Sequence, residues 1–429
     1  MPDVIVIGAG PAGSTMGCYL AKAGIDHVIL EKAIHPRPHV GESMLMTPIR
    51  IWQEIGFLPT MEAEGFPKKF GASWHPATKV EEVDIAFREF PQEGIDQDYT
   101  YHVDRAKYDL LLLKHAERLG SKVYQGVGVK EVLFDEHGRA SGVRAQIADQ
   151  EVTLNAKVVV DATGRDTLLG RQLKLKRNDP IFDQYAVHAW YENVNRGDGP
   201  TKDFIHIYFL PVQRGWAWQI PITDEITSMG VVAEKDVFKD AKLDVAAYFD
   251  KYVGSNPNLA EAMRSARRIN DFKREGDYSY SMSSFCGDGF VMLGDAARFV
   301  DPIFSSGVSV AMYSAKFASE RIVHAFETGD FSAETFQPYE KKLKGGVTIW
   351  YDFIRLYYKL LPLFTKFIRE PEHRLGLLQL LQGDVYERKE VPAVLHAMRE
   401  YVRVVEETPG HLLRPYLSDV PVEDLALKG

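Results

Sequence analysis

Cysteine is scarce in this chain of 429 residues, which has two, Cys18 and Cys286. Two distant cysteines provide neither a disulfide framework nor the spacing of a zinc site, so we expect no metal and a reducing compartment. Basic residues are fewer than acidic ones: the chain has 51 lysines and arginines and 60 aspartates and glutamates, which gives a net charge of −9. An acidic chain is a poor ligand for nucleic acid unless it carries a local basic patch, so no nucleic-acid partner is expected.

Long uncharged apolar runs are missing as well. The most apolar stretch, VTIWYDFIRLYYKLLPLFTKFI at residues 347–368, is broken by Asp352, Arg355, Lys359, Pro362 and Lys366. Charges at this density argue against a bilayer helix, so we expect an amphipathic helix packed on the protein and no stable membrane insertion. The N-terminus enters a strand pattern at once, which leaves no room for a signal peptide and favours a cytoplasmic location.

The first thirty-two residues carry the strongest pattern in the chain. Residues 4–7, VIVI, have the composition of a buried parallel strand. Gly8, Gly10 and Gly13 then form G-x-G-x-x-G, which allows a tight turn, close approach to a pyrophosphate and close packing of the next helix. A second strand ends in Glu31, where an acid binds a ribose hydroxyl. Together these features predict a dinucleotide-binding unit.

Three later segments distinguish FAD from NAD. Residues 102–120 predict a helix that begins after Asp104 and ends at Gly120. Residues 157–170 read as a buried strand followed by an Ala-Thr-Gly turn, and residues 289–323 as a strand, a Gly-Asp turn and a long helix. In this order the segments resemble the FAD-dependent hydroxylase fold group. The expected fold class is therefore α/β, with a glutathione-reductase-type FAD-binding fold, an inserted antiparallel substrate sheet and a C-terminal helical region.

This resemblance implies a set of cofactor contacts. The Asp of the Gly-Asp turn, Asp295, is expected to bind the flavin ribitol, and Arg105 to lie along the flavin. The amides at the start of the helix after Pro302 are expected to face the pyrimidine ring, where they would stabilise a reduced flavin. The implied FAD-binding residues are Gly8, Gly10, Ala12, Gly13, Glu31, Lys32, Glu42, Ser43, Arg105, Gly164, Asp295, Pro302 and Gly307. A second strand–G-x-G-x-x-G–helix unit is not found, so no separate NADPH domain is expected.

Strand-like runs separate the FAD segments. They lie at residues 71–87, 185–194, 203–234 and 277–284 and predict the inserted antiparallel sheet. The expected domains are a discontinuous FAD-binding domain (1–70, 100–180 and 275–330), a substrate-binding sheet domain (71–99 and 181–274) and a C-terminal helical region (331–429).

Three further motifs point to the chemistry. The sequence WAWQIP places Trp216 and Trp218 on one face of a strand, a pattern that alone fits simple sheet packing. It is joined by F-x-x-P-x-x-S-x-G from Phe299 to Gly307 and by K-x-G-A, whose lysine is Lys69. The three motifs together resemble the flavin-dependent halogenases. Only Lys69 fits the third motif, so Lys68 is interpreted as its exposed neighbour.

The resemblance extends to one branch of that family. The segments HVGESM, FPKKFGASW, HVDRAKYD, GDAARFVDPIFSSGVSVA and LLQLLQGDVY are similar to the pyrrole halogenases of pyoluteorin- and marinopyrrole-type pathways. That branch implies a pyrrolyl group presented as a phosphopantetheine thioester on a peptidyl carrier protein, and a separate flavin reductase that supplies FADH₂. O₂ and chloride or bromide then give hypohalous acid, which passes through an internal tunnel to Lys69.

The same resemblance assigns the remaining site residues. Trp216, Trp218, Ile220 and Pro221 are expected to form a barrier between substrate and flavin, and amides near Ser306 and Gly307 to hold the halide. For Lys69 two roles stay open: an ammonium that hydrogen-bonds the hypohalite, or a neutral amine that forms a haloamine.

Carrier docking requires a local basic surface on an acidic enzyme, because carrier domains are commonly acidic. The candidates are residues 264–268 with Lys273 and Arg274, and residues 341–344; both also fit plain solvated helix faces. The sequence is compatible with a homodimer as well as a monomer.

Three other functions fit parts of the sequence. The first is an NAD(P)H-dependent FAD aromatic monooxygenase, against which the lysine and the two tryptophans argue jointly. The second is a prenyl-lipid reductase of the same fold that associates with a membrane through residues 347–368. The third is a flavin-binding partner that docks a carrier protein without catalysis.

Overall fold

The computed structural model describes residues 1–77, 82–276, 279–386 and 392–422. Its helices are α1 (Pro11–Lys22), α2 (Pro48–Ile55), α3 (Leu58–Ala63), α4 (Arg105–Leu119), α5 (Leu168–Gln172), α6 (Lys235–Ala241), α7 (Val245–Val253), α8 (Pro257–Met263), α9 (Ser306–Thr328), α10 (Ala333–Lys359), α11 (Phe364–Phe367), α12 (Pro371–Leu381) and α13 (Ala393–Glu407).

Its strands are mostly short. They are β1 (Val4–Ile7), β2 (His27–Glu31), β3 (Lys68–Lys69), β4 (Gly71–His75), β5 (Val83–Ala86), β6 (Thr100–Tyr101), β7 (Lys122–Gln125), β8 (Val127–Phe134), β9 (Ala140–Ile147), β10 (Gln150–Asn155), β11 (Val158–Asp161), β12 (Lys176–Asn178), β13 (Gln184–Glu192), β14 (Ile205–Phe209), β15 (Trp216–Pro221), β16 (Ile226–Glu234), β17 (Arg267–Arg268), β18 (Lys273–Glu275), β19 (Tyr280–Met282), β20 (Cys286–Gly287), β21 (Phe290–Met292) and β22 (Arg298–Phe299).

A six-stranded sheet of order β20-β21-β11-β1-β2-β7 forms the nucleotide-binding half. β1 is fully buried and pairs in parallel with β2 and β11, as its unbroken β-branched run predicts. The predicted helix over residues 105–119 is confirmed: Asp104 accepts a hydrogen bond from the amide of Ala106, and Gly120 ends the helix at φ 117°. Local patterns were sufficient to predict these elements.

Gly13 allows α1 to lie against the turn that follows β1. A Cβ atom at this position would stand 1.9 Å from the carbonyl oxygen of Gly8. The clash is with backbone, so it cannot be relieved by rotating a side chain.

We therefore expect Gly13→Ala to lower the unfolding free energy by about 3 kcal/mol or more, beyond the usual cost of overpacking. Urea denaturation of the flavin-free protein measures this loss of unfolding free energy. Gly345→Ala is the control, because an added Cβ meets no heavy atom within 4 Å there and alanine favours a helix. Equal stability of the two variants would contradict the packing role.

The inserted sheet is the larger one, with order β17-β13-β16-β15-β14-β4-β5 and β18 on β13. Its pairings are antiparallel except that β14 runs parallel to β4. The predicted run at residues 277–284 contains a strand, β19, but its assignment to the inserted sheet is wrong: β19 pairs with β12 and β22 in a separate sheet. Residues 277–278 of that predicted run lie outside the described residues. The sheet β10-β9-β8 was not predicted.

The strands of the two large sheets fall within the two predicted domains, except that β18 ends at residue 275. The domain boundaries themselves stay a prediction.

The apolar stretch 347–368 forms the end of α10, a short turn around Pro362 and α11, rather than one amphipathic helix. Two of its charges are buried and reach α13: Asp352 accepts from Arg399 at 2.7 Å, and Lys359 pairs with Glu406 at 2.6 Å. These two ion pairs connect α10 to α13. Within the described residues, no helix is both long and apolar enough to cross a membrane.

Candidate active site

A cavity of about 450 Å³ is lined by residues of both large sheets and by the start of α9. The sequence-predicted FAD residues that line it are Gly8, Gly10, Ala12, Glu31, Lys32, Glu42, Ser43, Arg105, Gly164, Asp295, Pro302 and Gly307. Gly13 lies outside this lining, where it packs α1 against the turn. One continuous cavity thus joins positions that are up to three hundred residues apart in sequence.

Two helix N-termini face the cavity. α1 begins after Gly10, and α9 begins after Ser305, which adopts φ 57°; neither has a side-chain cap. The first amides of each helix therefore carry unsatisfied donors and the positive end of a helix dipole. Such termini favour anions, so α1 suits a pyrophosphate and α9 suits a reduced flavin or a halide.

The nucleotide end is organised by Glu31 and Arg105. Glu31 accepts from the amides of Ala9 at 2.7 Å and Ala33 at 2.9 Å, which fixes the glycine turn. Arg105 donates to both carboxylate oxygens of Asp109, at 2.8 and 3.1 Å. It also donates to the backbone oxygens of residues 40 and 41, at 2.6 and 3.2 Å. Arg105 therefore orders the segment 40–43 at the cavity wall.

The residues present fit FAD. Gly8 has φ 103°, and a Cβ there would stand 2.4 Å from the carbonyl oxygen of Ala162, so the turn requires glycine. Among the described residues the buried hydroxyl of Ser43 has no hydrogen-bond partner, which leaves a donor in the wall. Desolvation raises the pKa of Asp295 to about 6, while Arg165 and Arg105 oppose it. Hydrogen bonds from ribityl hydroxyls would stabilise this carboxylate.

Trp216 and Trp218 lie side by side in the same wall. Their ring centroids are 5.8 Å apart, and both residues and Ile220 line the cavity. Trp216 donates to the hydroxyl of Tyr358 at 3.0 Å and Trp218 to the hydroxyl of Ser228 at 3.1 Å, so both indoles are fixed. Pro221 is buried at the end of β15 but lies outside the lining.

Lys69 faces inward. Its residue is 3% exposed, whereas Lys68 is exposed with its ammonium over the ring of Tyr99. The Lys69 amine donates to the carbonyl oxygen of Met44 at 2.9 Å and lies 5.5 Å from the ring centre of Phe87. Desolvation lowers the pKa of Lys69 to about 7. The Lys69 amine therefore contacts the residue that follows the wall residues 42–43 in sequence, and its pKa lies near neutrality. It is not itself part of the cavity lining, so the tunnel stays a prediction.

Lys69→Met should stabilise the flavin-free protein near neutral pH. The lysine pKa falls from 10.5 in the unfolded chain to about 7 in the fold, so the unfolded chain binds more protons between these values. Wild-type stability then rises with pH through this window, and at pH 7 or below the full cost of burying the charge is present. The difference in unfolding free energy between Lys69→Met and the wild type, measured by urea denaturation, should be larger at pH 7 than at pH 10. We expect the increase to exceed about 1.4 kcal/mol. The same difference in unfolding free energy at both pH values would contradict the burial of a charged Lys69.

The charged residues of the cavity wall that the sequence analysis missed include Arg37, Arg165 and Asp301. Arg165 pairs with Glu275, and Arg37 approaches Asp109 at 3.9 Å. Asp301 is an isolated acid inside the apolar run FVDPIF, which is the signal that could have identified it. The contact from Trp190 to Glu42, at 2.7 Å, joins residues too distant for any local pattern to reveal.

Comparison with known proteins identifies the family. Residues 57–362 match the tryptophan halogenase family, and residues 6–43 match the NAD(P)-binding Rossmann-like domain. The chain is 47% identical to the 1H-pyrrole-2-carbonyl-peptidyl-carrier-protein chlorinase of Pseudomonas fluorescens, over 98% of this chain and 97% of that one. It is 33% identical to the corresponding brominase of Pseudoalteromonas luteoviolacea, over 94% and 97% of the two chains.

A solved structure agrees with these sequence matches. The flavin-dependent brominase Bmp2 superposes with a TM-score of 0.84 at 32% identity, covering 94% of this chain and 99% of that one. The chain therefore belongs to the tryptophan halogenase family and is a flavin-dependent halogenase. The monooxygenase, prenyl reductase and non-catalytic alternatives are not favoured.

Proposed function

We propose that this enzyme halogenates a pyrrolyl group held as a thioester on a peptidyl carrier protein, with reduced FAD, O₂ and chloride or bromide. The observation that carries this proposal is the burial of Lys69, whose amine donates to the carbonyl oxygen of Met44, next in sequence to the wall residue Ser43. Desolvation lowers the pKa of this amine to about 7. A buried amine with this pKa supplies either an ammonium donor or a neutral nucleophile at physiological pH.

The FAD site is proposed to consist of the predicted residues that line the cavity. The amides of α1 bind the pyrophosphate, Glu31 orders the turn beneath it, and Asp295 binds the ribitol. When bound, the reduced flavin supplies the reaction of O₂ with halide that gives hypohalous acid. The amides of Ser306 and Gly307, at the start of α9, hold the halide by hydrogen bonds and the helix dipole.

The tryptophan pair separates this chemistry from the pyrrole. Trp216 and Trp218 are fixed by hydrogen bonds and stand in the cavity wall, so they exclude the substrate from the flavin. Lys69 then positions the hypohalous acid beside the pyrrole. An electron-rich ring needs an oriented electrophile more than a strong base, and a positioned donor supplies that orientation.

The substrate class is supported by the relatives' names. Both the chlorinase at 47% identity and the brominase at 33% act on a pyrrole-2-carbonyl group attached to a peptidyl-carrier protein. Several basic residues considered for docking are paired: Arg264 with Glu261, Arg267 with Glu192 and Lys344 with Glu340. Docking through either basic segment stays a prediction.

A separate flavin reductase is proposed as the second partner, because the sequence has one strand–G-x-G-x-x-G–helix unit and that unit is assigned to FAD.

Intact-protein mass spectrometry of a pyrrolyl-loaded carrier tests the function. The carrier is incubated with the enzyme, a flavin reductase, NADH, O₂ and either chloride or bromide. Replacement of hydrogen by halogen supports the proposal. Addition of one oxygen atom would show a monooxygenase instead, and an unchanged carrier mass with continued flavin oxidation would overturn the proposed substrate.

A further inference from the structure

Asp301 is a buried acid in the wall of the flavin cavity to which no role has been given so far. It is 2% exposed and lies between Phe299 and Pro302, directly before α9. Its Oδ1 atom accepts from the amide of Ile303 at 2.9 Å and from the hydroxyl of Tyr358 at 3.0 Å. Among the described residues, its Oδ2 atom has no hydrogen-bond partner.

The surroundings of Asp301 favour the protonated carboxyl group. Desolvation is the largest cause and raises its pKa to about 7. The hydrogen bonds from Ile303 and Tyr358 oppose this shift in pKa, and the charge of Asp179, another acid, raises the pKa further. α10 contributes Tyr357 and Tyr358, whose own pKa values are raised by burial, so both remain neutral. A protonated carboxyl places its O–H on the unpartnered Oδ2 atom.

The same carboxyl is linked to the tryptophan wall. The Tyr358 hydroxyl donates to Asp301 and accepts from the indole N–H of Trp216 at 3.0 Å. The chain Asp301–Tyr358–Trp216 therefore joins the acid beside α9 to the barrier residue, and the whole chain is buried. A halide at the amides of α9 would be repelled by an ionised Asp301, so halide binding and protonation of Asp301 favour each other.

The proposed chemistry consumes a proton at this place. The balanced reaction is FADH₂ + O₂ + X⁻ + H⁺ → FAD + HOX + H₂O. The O–O bond breaks, an X–O bond forms, flavin and halide each lose two electrons, and one oxygen atom leaves as water. The competing reaction, FADH₂ + O₂ → FAD + H₂O₂, needs no added proton. A proton donor beside the halide would therefore decide between hypohalous acid and peroxide.

We propose that Asp301 is that donor: its carboxyl group protonates the oxygen atom that leaves as water, and its bond to Tyr358 keeps Trp216 in place. This inference rests on the proposed function. After transfer, the carboxylate is stabilised by the Tyr358 hydroxyl and the Ile303 amide.

Asp301→Asn preserves the shape and can still accept from Tyr358, but it has no acidic proton. We expect about 100-fold less halogen transferred per flavin oxidised, with H₂O₂ produced in its place and flavin oxidation maintained. Tyr357→Phe is the matched control, because Tyr357 is the fully buried neighbour of Tyr358 in α10, and it should keep the wild-type ratio of halogen transferred per flavin oxidised. The inference would be overturned if Asp301→Asn kept the wild-type ratio of halogen transferred per flavin oxidised and the wild-type dependence of that ratio on pH. Failure of the wild type to halogenate would instead overturn the proposed function.

A second measurement needs neither flavin nor turnover. Infrared difference spectroscopy of the flavin-free protein should show a carboxylic-acid band that is lost near pH 7 and is absent from Asp301→Asn. Added chloride should move this loss to higher pH. A carboxyl already ionised at pH 5 in the wild type, with or without chloride, would contradict the assignment.

Discussion

Lys69→Ala is expected to lose halogenation of the tethered pyrrole by about 100-fold or more, while reduced flavin is still oxidised. The side chain is not part of the lining of the flavin cavity, so its removal should leave the oxygen chemistry unchanged. What is lost is the group that holds hypohalous acid beside the substrate. Carrier mass and flavin absorbance, followed in the same reaction, separate the two effects.

Two variants make this test sharper. Lys68→Ala is the matched control, because Lys68 is the exposed neighbour in β3 and should retain full activity. Lys69→Arg should fail as well, since a guanidinium stays protonated and is too large for the site of a buried amine. Normal halogenation by Lys69→Ala would show that the lysine is not the delivery point.

Arg105→Leu is expected to lower the unfolding free energy of the flavin-free protein by about 3 kcal/mol. Its partner Asp109 is fully buried, so loss of the guanidinium leaves a buried carboxylate that Arg37 approaches only to 3.9 Å. The carbonyls of residues 40 and 41 also lose their hydrogen bonds from Arg105, so FAD affinity should fall with stability. Urea denaturation and flavin titration measure the two losses.

The double variant Arg105→Leu/Asp109→Leu should recover most of this stability, because it removes both charges together. Arg403→Leu is the surface control: Arg403 pairs with Glu400 and Glu407 on the exposed face of α13 and should change stability by less than about 1 kcal/mol. Equal effects of Arg105→Leu and Arg403→Leu would contradict the account of the buried pair.

The parts of the molecule governed by local physics were visible in the sequence. The glycine turn after β1, the capped ends of α4 and the start of α9 each depend on a few adjacent residues. The same holds for the contrast between Lys68 and Lys69, since neighbours in a strand point to opposite faces.

Contacts between distant elements could not be predicted in this way. The bond from Trp216 to Tyr358 spans 142 positions, and the one from Tyr358 to Asp301 spans 57. Both arise because α10 packs across β15 and the start of α9, which no pattern in either segment specifies. The pairing of Arg105 with Asp109 is a different case: the two residues lie four positions apart in α4, a spacing that predicts such a pair, but Arg105 was assigned to the flavin alone.

In the proposed reaction, halogen formed in the flavin cavity reaches the tethered pyrrole through Lys69. The most direct measurement is a single turnover: enzyme loaded with reduced FAD is mixed with O₂, halide and pyrrolyl carrier, and halogen on the carrier is counted per flavin oxidised. We expect a ratio near one for the wild type and near zero for Lys69→Ala. A ratio near zero for the wild type, or the same ratio for both proteins, would contradict this proposal.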